Sequence, residues 1–340
     1  MSDEPQIGIR RAPLRRLTGV QIVGTGSFLP DNVVTNEALA SLGCDAEWII
    51  QRTGIRERRH APPEMSTSDM AVAAAENCLA SCDVPRDEID LLVLATLSPD
   101  YLLPATAPGV QYRLGLNCAA MDVGAACAGF MYALVTGMQY VATGASKYAL
   151  VVGSDTNSRV MNPADKKTYP LFGDGAGAVL VTKGSPEQGL LSYTLGADGS
   201  GERLLVRPEG GSRASINPGG EVGLGWFVRM DGRPVFKWAV RLLEDSSQHV
   251  LDGAGYKRED VKAWIWHQAN VRILDAASDA MEIDRQRIIC NLVRYGNTSA
   301  GSVPIALDEA LREGRFGAGD LVLMCGFGGG LSWGTTLMRW

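Results

Sequence analysis

Met121-Asp-Val-Gly-Ala-Ala-Cys-Ala-Gly-Phe130 reads as the end of a strand turning sharply into a helix. Cys118 to Val123 has the character of a strand end, and a helical pattern runs from Ala128 to about Thr143. The small residues Gly124, Ala125 and Ala126 permit a tight turn before Cys127, and Gly129 lets a second stretch of backbone approach. That geometry sets the Cys127 sulfur at a helix N-terminus, where partial positive charge favours thiolate and lowers a thiol from its free value of about 8.5. An inert buried cysteine in an alanine-rich turn is the ordinary alternative. The choice between them rests on partners elsewhere in the chain.

Working outward, the apolar runs Leu91 to Thr96, Tyr148 to Gly153 and Ala176 to Thr182 read as buried strands. Asn36 to Leu42, Ala46 to Gln51, Ser68 to Cys82 and Pro104 to Leu116 read as helices, the third capped by Ser68 or Asp69. Leu17 to Phe28 reads as a strand running into a loop. The second half repeats the alternation. Helix Val235 to Leu251 precedes strand Val261 to Trp266, then helix Ile273 to Met281 and strand Arg287 to Asn291. Helix Ser302 to Arg312 and strand Leu321 to Met324 follow, the latter leading into Gly326-Phe-Gly-Gly-Gly330. Two α/β units are expected, with an N-terminal tail at 1–17, a first half at 18–185 and a second at 186–340. The stretch from about Gly196 to Gly225, rich in Gly, Ser and Pro, reads as a surface excursion.

Composition narrows the functional classes. A chain of 340 residues can bury a large core, and 40 glycines with 7% aromatics imply closely approaching layers. A net charge of −6 argues against nucleic acid or an acidic membrane surface as partner. Seven cysteines without a CxxC pair support neither a disulfide framework nor a zinc site. Cys78 and Cys82 read as two core thiols, and His60, His249 and His267 are too few for a metal cluster. The first eighteen residues, with Arg10, Arg11, Arg15 and Arg16, do not read as a secretory signal, and no apolar run is long enough to span a bilayer. A soluble, cytoplasmic protein is the expectation.

Three glycine-rich segments invite a nucleotide reading and fail it. Val23-Gly-Thr-Gly26 follows a strand, but Leu29 stands where the next small residue is required and Pro30 blocks a helix. Gly173-Asp-Gly-Ala-Gly-Ala178 runs into a β-rich stretch, and no Lys-Ser/Thr follows Gly326-Phe-Gly-Gly-Gly330. These glycines better serve a reacting centre that needs close backbone N–H groups.

His267 ends the apolar run Ala263-Trp-Ile-Trp266, where α/β folds place ligands, and Gln268-Ala-Asn270 follows. Asn297 lies in Tyr295-Gly-Asn-Thr-Ser299, just before a helix. Alone, His267 is as readily a core histidine and Asn297 a turn residue. Together with Cys127 and the final glycine run they supply the parts of a thiol-based acyl-transfer site: nucleophile, proton and charge partner, second donor and backbone oxyanion hole.

At these residues the chain resembles the thiolase superfamily, and within it the β-ketoacyl-acyl-carrier-protein synthase III family, condensing enzymes that begin fatty-acid synthesis. The resemblance runs from about Leu17 to Trp340. It rests on six motifs in family order: Trp48-Ile-Ile-Gln-Arg-Thr-Gly-Ile-Arg56, Asp122-Val-Gly-Ala-Ala-Cys-Ala-Gly-Phe130, Phe172-Gly-Asp-Gly-Ala-Gly177, His267-Gln-Ala-Asn270, Gly296-Asn-Thr-Ser-Ala300 and Phe327-Gly-Gly-Gly330. It implies an α/β fold of duplicated βαβαβαββ halves in a five-layer αβαβα arrangement, assembled as a homodimer.

The resemblance also implies roles. Cys127 takes an acyl group from acyl-coenzyme A, with the backbone N–H groups of Cys127 and Gly329 as oxyanion hole. His267 and Asn297 stabilise the enolate left when malonyl-acyl-carrier protein loses carbon dioxide. Asparagine at 297 fits the initiating type, since elongating synthases carry a second histidine there. Trp48, Arg52, Lys166, Gly232 and Asn270 correspond to coenzyme A and pantetheine contacts, and Arg272 with Lys237 to carrier-protein contacts. Relatives carry lysines in the helix that follows, where this chain has Asp279 and Ala280. Leu103, Leu171, Phe236 and Phe327 correspond to the acyl pocket, Leu103 acting across the dimer interface. No cofactor or metal is implied, coenzyme A thioester being a substrate. Two rival readings are a family member diverted to secondary metabolism, priming a polyketide or passing the acyl group to oxygen or nitrogen, and a non-catalytic partner subunit; the intact Cys127, His267 and Asn297 speak against the second.

Overall fold

Leu91-Leu-Val-Leu-Ala95 and Ala149-Leu-Val-Val152 have no polar face to offer water, so the sheet they build must be covered on both sides. The computed structural model describes residues 8–9, 11–215 and 223–340. Residues 1–7 and Arg10 of the expected tail, and 216–222 of the expected excursion, lie outside the described residues.

The chain begins with β1 (Arg15–Thr18), β2 (Val20–Phe28) and β3 (Val33–Thr35), then α1 (Ala46–Thr53), β4 (Glu57–Arg59) and α2 (Thr67–Ala80). It continues through β5 (Ile89–Ala95), α3 (Ala107–Arg113), β6 (Ala119–Val123), α4 (Gly129–Thr143), β7 (Tyr148–Asp155) and β8 (Gly175–Lys183). Next come β9 (Gly189–Ala197), β10 (Leu205–Val206), β11 (Arg229–Met230), α5 (Gly232–Ala254), β12 (Val261–Trp266) and α6 (Val271–Ala280). The single turn α7 (Leu292–Tyr295), α8 (Ser302–Arg312), β13 (Leu321–Gly328) and β14 (Ser332–Arg339) complete it.

Two five-stranded sheets carry the molecule, ordered β2-β8-β7-β5-β6 and β1-β9-β14-β13-β12. Strand β5 is parallel to β6 and β7, and β12 to β13; the remaining pairs are antiparallel. Because side chains alternate along a strand, each sheet offers two apolar faces. Val93, Val151, Ile265 and Met324 point into a shared central layer formed by Phe130, Met131 and Leu134 of α4 and Val303, Leu307 and Ala310 of α8. Leu92 and Leu150 face outward onto Met70 and Ala74 of α2 and Val110 of α3. Trp264 and Trp266 face the other way, onto Trp238 and Leu242 of α5 and Leu274 of α6. The result is the expected αβαβα stack. Its layers close tightly because Gly153 meets the backbone of Ala300, where an added Cβ would lie 2.3 Å from a carbonyl oxygen.

Three details depart from the sequence reading. The expected strand Arg287 to Asn291 is a single bridge, Ile288 to Trp264, in the place where β6 stands in the first sheet. Residues Arg285–Arg287 wind into a 3-10 turn capped by Asp284, and the N–H of Asn291 donates to Gln268 Oε1 at 3.1 Å, so side chains take the bonds a ladder would use. Helix α2 starts earlier than expected. Ser66 caps it and Asp69 returns a bond to the Ser66 N–H, a reciprocal capping box. Finally, β1 leaves the tail to pair with β9 in the second sheet. All seven cysteines are free. Among the described residues no helix is long and apolar enough to cross a membrane, and no group of three His, Cys, Asp or Glu could hold a metal ion.

Candidate active site

Strand β6 delivers the chain to a turn in which Ala126 adopts a left-handed φ of 46°. Residues Ala126–Ala128 form one 3-10 turn and α4 begins at Gly129. Only small residues fit on the facing element. At Gly328 a Cβ would come within 2.9 Å of the Cys127 backbone nitrogen, so the end of β13 lies directly against the cysteine turn. Gly329 is one step further along, beside Ala126 and Leu205.

His267 is placed by the register of β12. Its N–H donates to the Cys325 carbonyl at 2.7 Å, and its ring meets Phe327 edge-on at 5.1 Å. Nδ1 lies 2.6 Å from the Ser302 hydroxyl. Burial, with no carboxylate beside it, lowers the imidazole pKa to about 3, so the ring is neutral near pH 7. Asn297 is fixed by its backbone, whose N–H donates to Leu171 O at 2.8 Å while its carbonyl accepts from Gly173 N–H at 3.0 Å. The Ser299 N–H donates to the side chain at 2.8 Å. A backbone N–H only donates, which assigns the facing atom as Oδ1 and leaves Nδ2 as a donor without a partner among the described residues.

Cys127, His267 and Asn297 line one cavity of about 150 Å³, together with Leu171, Phe236, Phe327, Gly232 and Asn270. Eight residues named from the sequence thus meet at one place. The outer contacts do not line it. Arg52 lies over the Trp48 ring at 5.5 Å on α1, although Asn270 Nδ2 donates to the Arg52 carbonyl at 3.1 Å and ties that pair to the cavity edge. Trp48 also packs against Leu39, Cys44 and Ile49, so part of its surface serves ordinary packing. Arg272 covers Phe236 at 5.7 Å, while Lys166 and Lys237 are exposed. Leu103 is not brought to the cavity within one chain; it is 88% exposed on the loop before α3.

The expectation of a thiol primed as thiolate is overturned. Burial pushes Cys127 up to about 12 from an ordinary 9.0, Ser299 drawing it down and Asp155 opposing. Three pKa units are about 4 kcal/mol, whereas a helix N-terminus supplies at most about 2 kcal/mol. Burial wins, and the thiol is neutral in the free protein. Two groups here escaped sequence reasoning. Asp155, fully buried, gathers Thr96, Leu97, Ser98 and the Ala300 N–H around its carboxylate. The Ser299 hydroxyl is buried without a hydrogen bond of regular geometry. The one available signal was that both serines of Asn297-Thr-Ser-Ala-Gly-Ser302 share a motif with Asn297.

A doubled α/β fold holding a buried thiol, an imidazole and a carboxamide at one cavity defines a condensing enzyme of the thiolase class. Residues 121–199 match the family described as 3-oxoacyl-[acyl-carrier-protein] synthase III, and residues 251–340 match its C-terminal part. The beta-ketoacyl-[acyl-carrier-protein] synthase III of Rhodopirellula baltica is 49% identical over 342 residues, covering 95% of this chain and 99% of its own. That of Geobacillus kaustophilus is 45% identical, covering 95% and 99%. The solved 3-oxoacyl-[acyl-carrier-protein] synthase III of Aquifex aeolicus superposes with a TM-score of 0.86 at 41% identity, covering 95% of this chain and 100% of that one. The Thermus thermophilus enzyme gives 0.88 at 38%, covering 94% and 98%. The chain belongs to the β-ketoacyl-acyl-carrier-protein synthase III family.

Proposed function

We infer that this protein joins an acyl-coenzyme A primer to malonyl-acyl-carrier protein, giving 3-oxoacyl-carrier protein, coenzyme A and carbon dioxide at the start of fatty-acid synthesis. The supporting observation is the meeting of Cys127, His267 and Asn297 at one largely apolar cavity. Cys127 attacks the primer thioester, its proton passes to the departing sulfur so that coenzyme A leaves as the thiol, and an S-acyl enzyme remains. The backbone N–H groups of Cys127 and Gly329 are the proposed oxyanion donors. Malonyl-carrier protein then enters and loses carbon dioxide, and the enolate oxygen rests against His267 and Asn297. Two neutral donors suit this step, because they stabilise negative charge that appears only in the transition state. The carbanion attacks the acyl carbonyl and frees Cys127. Nucleophile and donors all come from the chain, so the reaction as written uses no resident cofactor, and a cytoplasmic site of action goes with it.

Trp48, Arg52, Lys166, Gly232 and Asn270 form the proposed path for coenzyme A and the pantetheine arm, with Arg272 and Lys237 at the carrier-protein end. The diverted reading, priming a polyketide or passing the acyl group to oxygen or nitrogen, is not favoured by relatives of 45–49% identity that share nearly the full chain. Intact-mass measurement after exposure to acetyl-, isobutyryl- and octanoyl-coenzyme A, followed by malonyl-carrier protein, tests the assignment. The expected result is a Cys127 adduct with more than acetyl, then carbon dioxide release. A stable adduct with no release would move the protein to the diverted class, and strict acetyl preference would reject the reading that leucine rather than a bulky aromatic at 103 leaves room for more than acetyl.

A homodimer is part of the proposal. Strand β6 ends its sheet with one side unpaired, and Tyr101, Leu102, Leu103 and Tyr112 stand exposed on the segment before it. An open edge beside an apolar patch is a pairing surface, and the family resemblance implies that Leu103 of a second copy closes the acyl pocket across that interface. Sedimentation at micromolar concentration should give twice the chain mass of 36.3 kDa. A monomer under those conditions would refute the pairing.

A further inference from the structure

We propose that Ser302 is a positioning residue that fixes which nitrogen of His267 carries the proton. The inference rests on the reading of His267 as a donor and names what makes it one. Ser302 opens α8, His267 closes β12, and the two side chains meet at 2.6 Å through Nδ1 and the hydroxyl. Each is 1% exposed, so bulk solvent has little access to the pair.

Counting donors decides the direction. The Gln268 N–H points at the Ser302 oxygen at 3.5 Å, which makes that oxygen an acceptor already. If Nδ1–H donated to Ser302 as well, the serine proton would be buried with no acceptor among the described residues, where Nδ1 is the side-chain atom that faces it. A buried hydroxyl proton left unpaired costs about 1–3 kcal/mol. With Ser302 donating to Nδ1, the serine proton and the Gln268 N–H are both paired, and the one proton left over is the ring's own, on the nitrogen turned away from Ser302. The neutral ring then has its single proton on Nε2, and no described side chain bonds that nitrogen. His267 lines the cavity beside Cys127 and Asn297. Nε2–H is therefore a donor toward a substrate oxygen, and it cannot take the proton of the Cys127 thiol.

Proton-detected ¹⁵N spectroscopy of histidine-labelled enzyme tests this, since the chain has only three histidines and His267→Ala identifies the signal. The expected wild-type spectrum at neutral pH has His267 protonated on Nε2. Ser302→Ala should move part of the population to Nδ1–H and lower decarboxylation of malonyl-carrier protein about 10- to 100-fold, less than removing a donor outright. Acylation by coenzyme A thioester should fall far less. Ser302→Thr, which keeps the hydroxyl, should restore both the tautomer and the rate. A wild-type ring protonated on Nδ1 overturns the proposal, as does a Ser302→Ala enzyme that keeps Nε2–H and full decarboxylation. Should Ser302→Ala fail to fold, the wild-type and Ser302→Thr spectra still decide. If His267→Ala decarboxylates normally, the donor reading of His267 fails instead, and the tautomer result stands separately.

Discussion

Cys127→Ala should leave no S-acyl enzyme, and overall condensation should fall on the order of 10⁶-fold, the scale seen when a covalent nucleophile is removed. The chemistry has no substitute nearby. Cys325 is buried and hydrogen-bonded to Thr335, and the remaining cysteines do not line the cavity. The fold should survive, because deleting one buried sulfur costs on the order of 1 kcal/mol, so loss of activity with a melting temperature lowered by only about 2 °C is the expected pair. An acyl adduct of normal mass in this variant would place the nucleophile elsewhere. The same residue carries a pH prediction. A thiol raised to about 12 is protonated at neutral pH, and its thiolate fraction grows tenfold per pH unit below that value. Labelling of Cys127 by an uncharged alkylating reagent should therefore keep climbing between about pH 7 and pH 9.5. A plateau below about pH 8 would restore the primed thiolate of the sequence reading.

Asn297→Ala should separate the two half-reactions. Acylation of Cys127 needs no carboxamide, whereas decarboxylation should fall about 100- to 1,000-fold for the loss of one donor. The substitution also removes the acceptor for Ser299 N–H, a buried bond of 2.8 Å, so some loss of stability accompanies it. Asn297→Asp separates the two effects. A carboxylate keeps the acceptor for Ser299 and replaces Nδ2–H with a second acceptor, so decarboxylation should fall at least as far while that turn stays bonded. Equal damage to both half-reactions in each variant would contradict a role confined to the enolate.

Much of this molecule is legible without coordinates. Strand Val261–Trp266 and helix Ser302–Arg312 have the bounds their patterns imply, because an uninterrupted apolar run and a clean helical period leave few alternatives. The strands Gly189–Ala197 and Ser332–Arg339 escaped notice. Glycine, serine and threonine interrupt their apolar character, and they are strands because they pair with each other along their length, with β13 on the far side of Ser332–Arg339 and β1 beside the start of Gly189–Ala197. Strand Arg287 to Asn291 failed for the converse reason: its local pattern was adequate, but side chains claimed its backbone bonds.

The sequence by itself determined the duplicated α/β order, because apolar runs and helical periods alternate along it, and through its resemblance to the family it named the eight residues that meet at the cavity. Only the tertiary structure decided their chemical states. How deeply Cys127 is buried, which atom of Asn297 faces Ser299 and what stands beside Nδ1 of His267 depend on segments far apart in the chain. Desolvation and hydrogen-bond direction belong to the packed whole, and no local pattern encodes them.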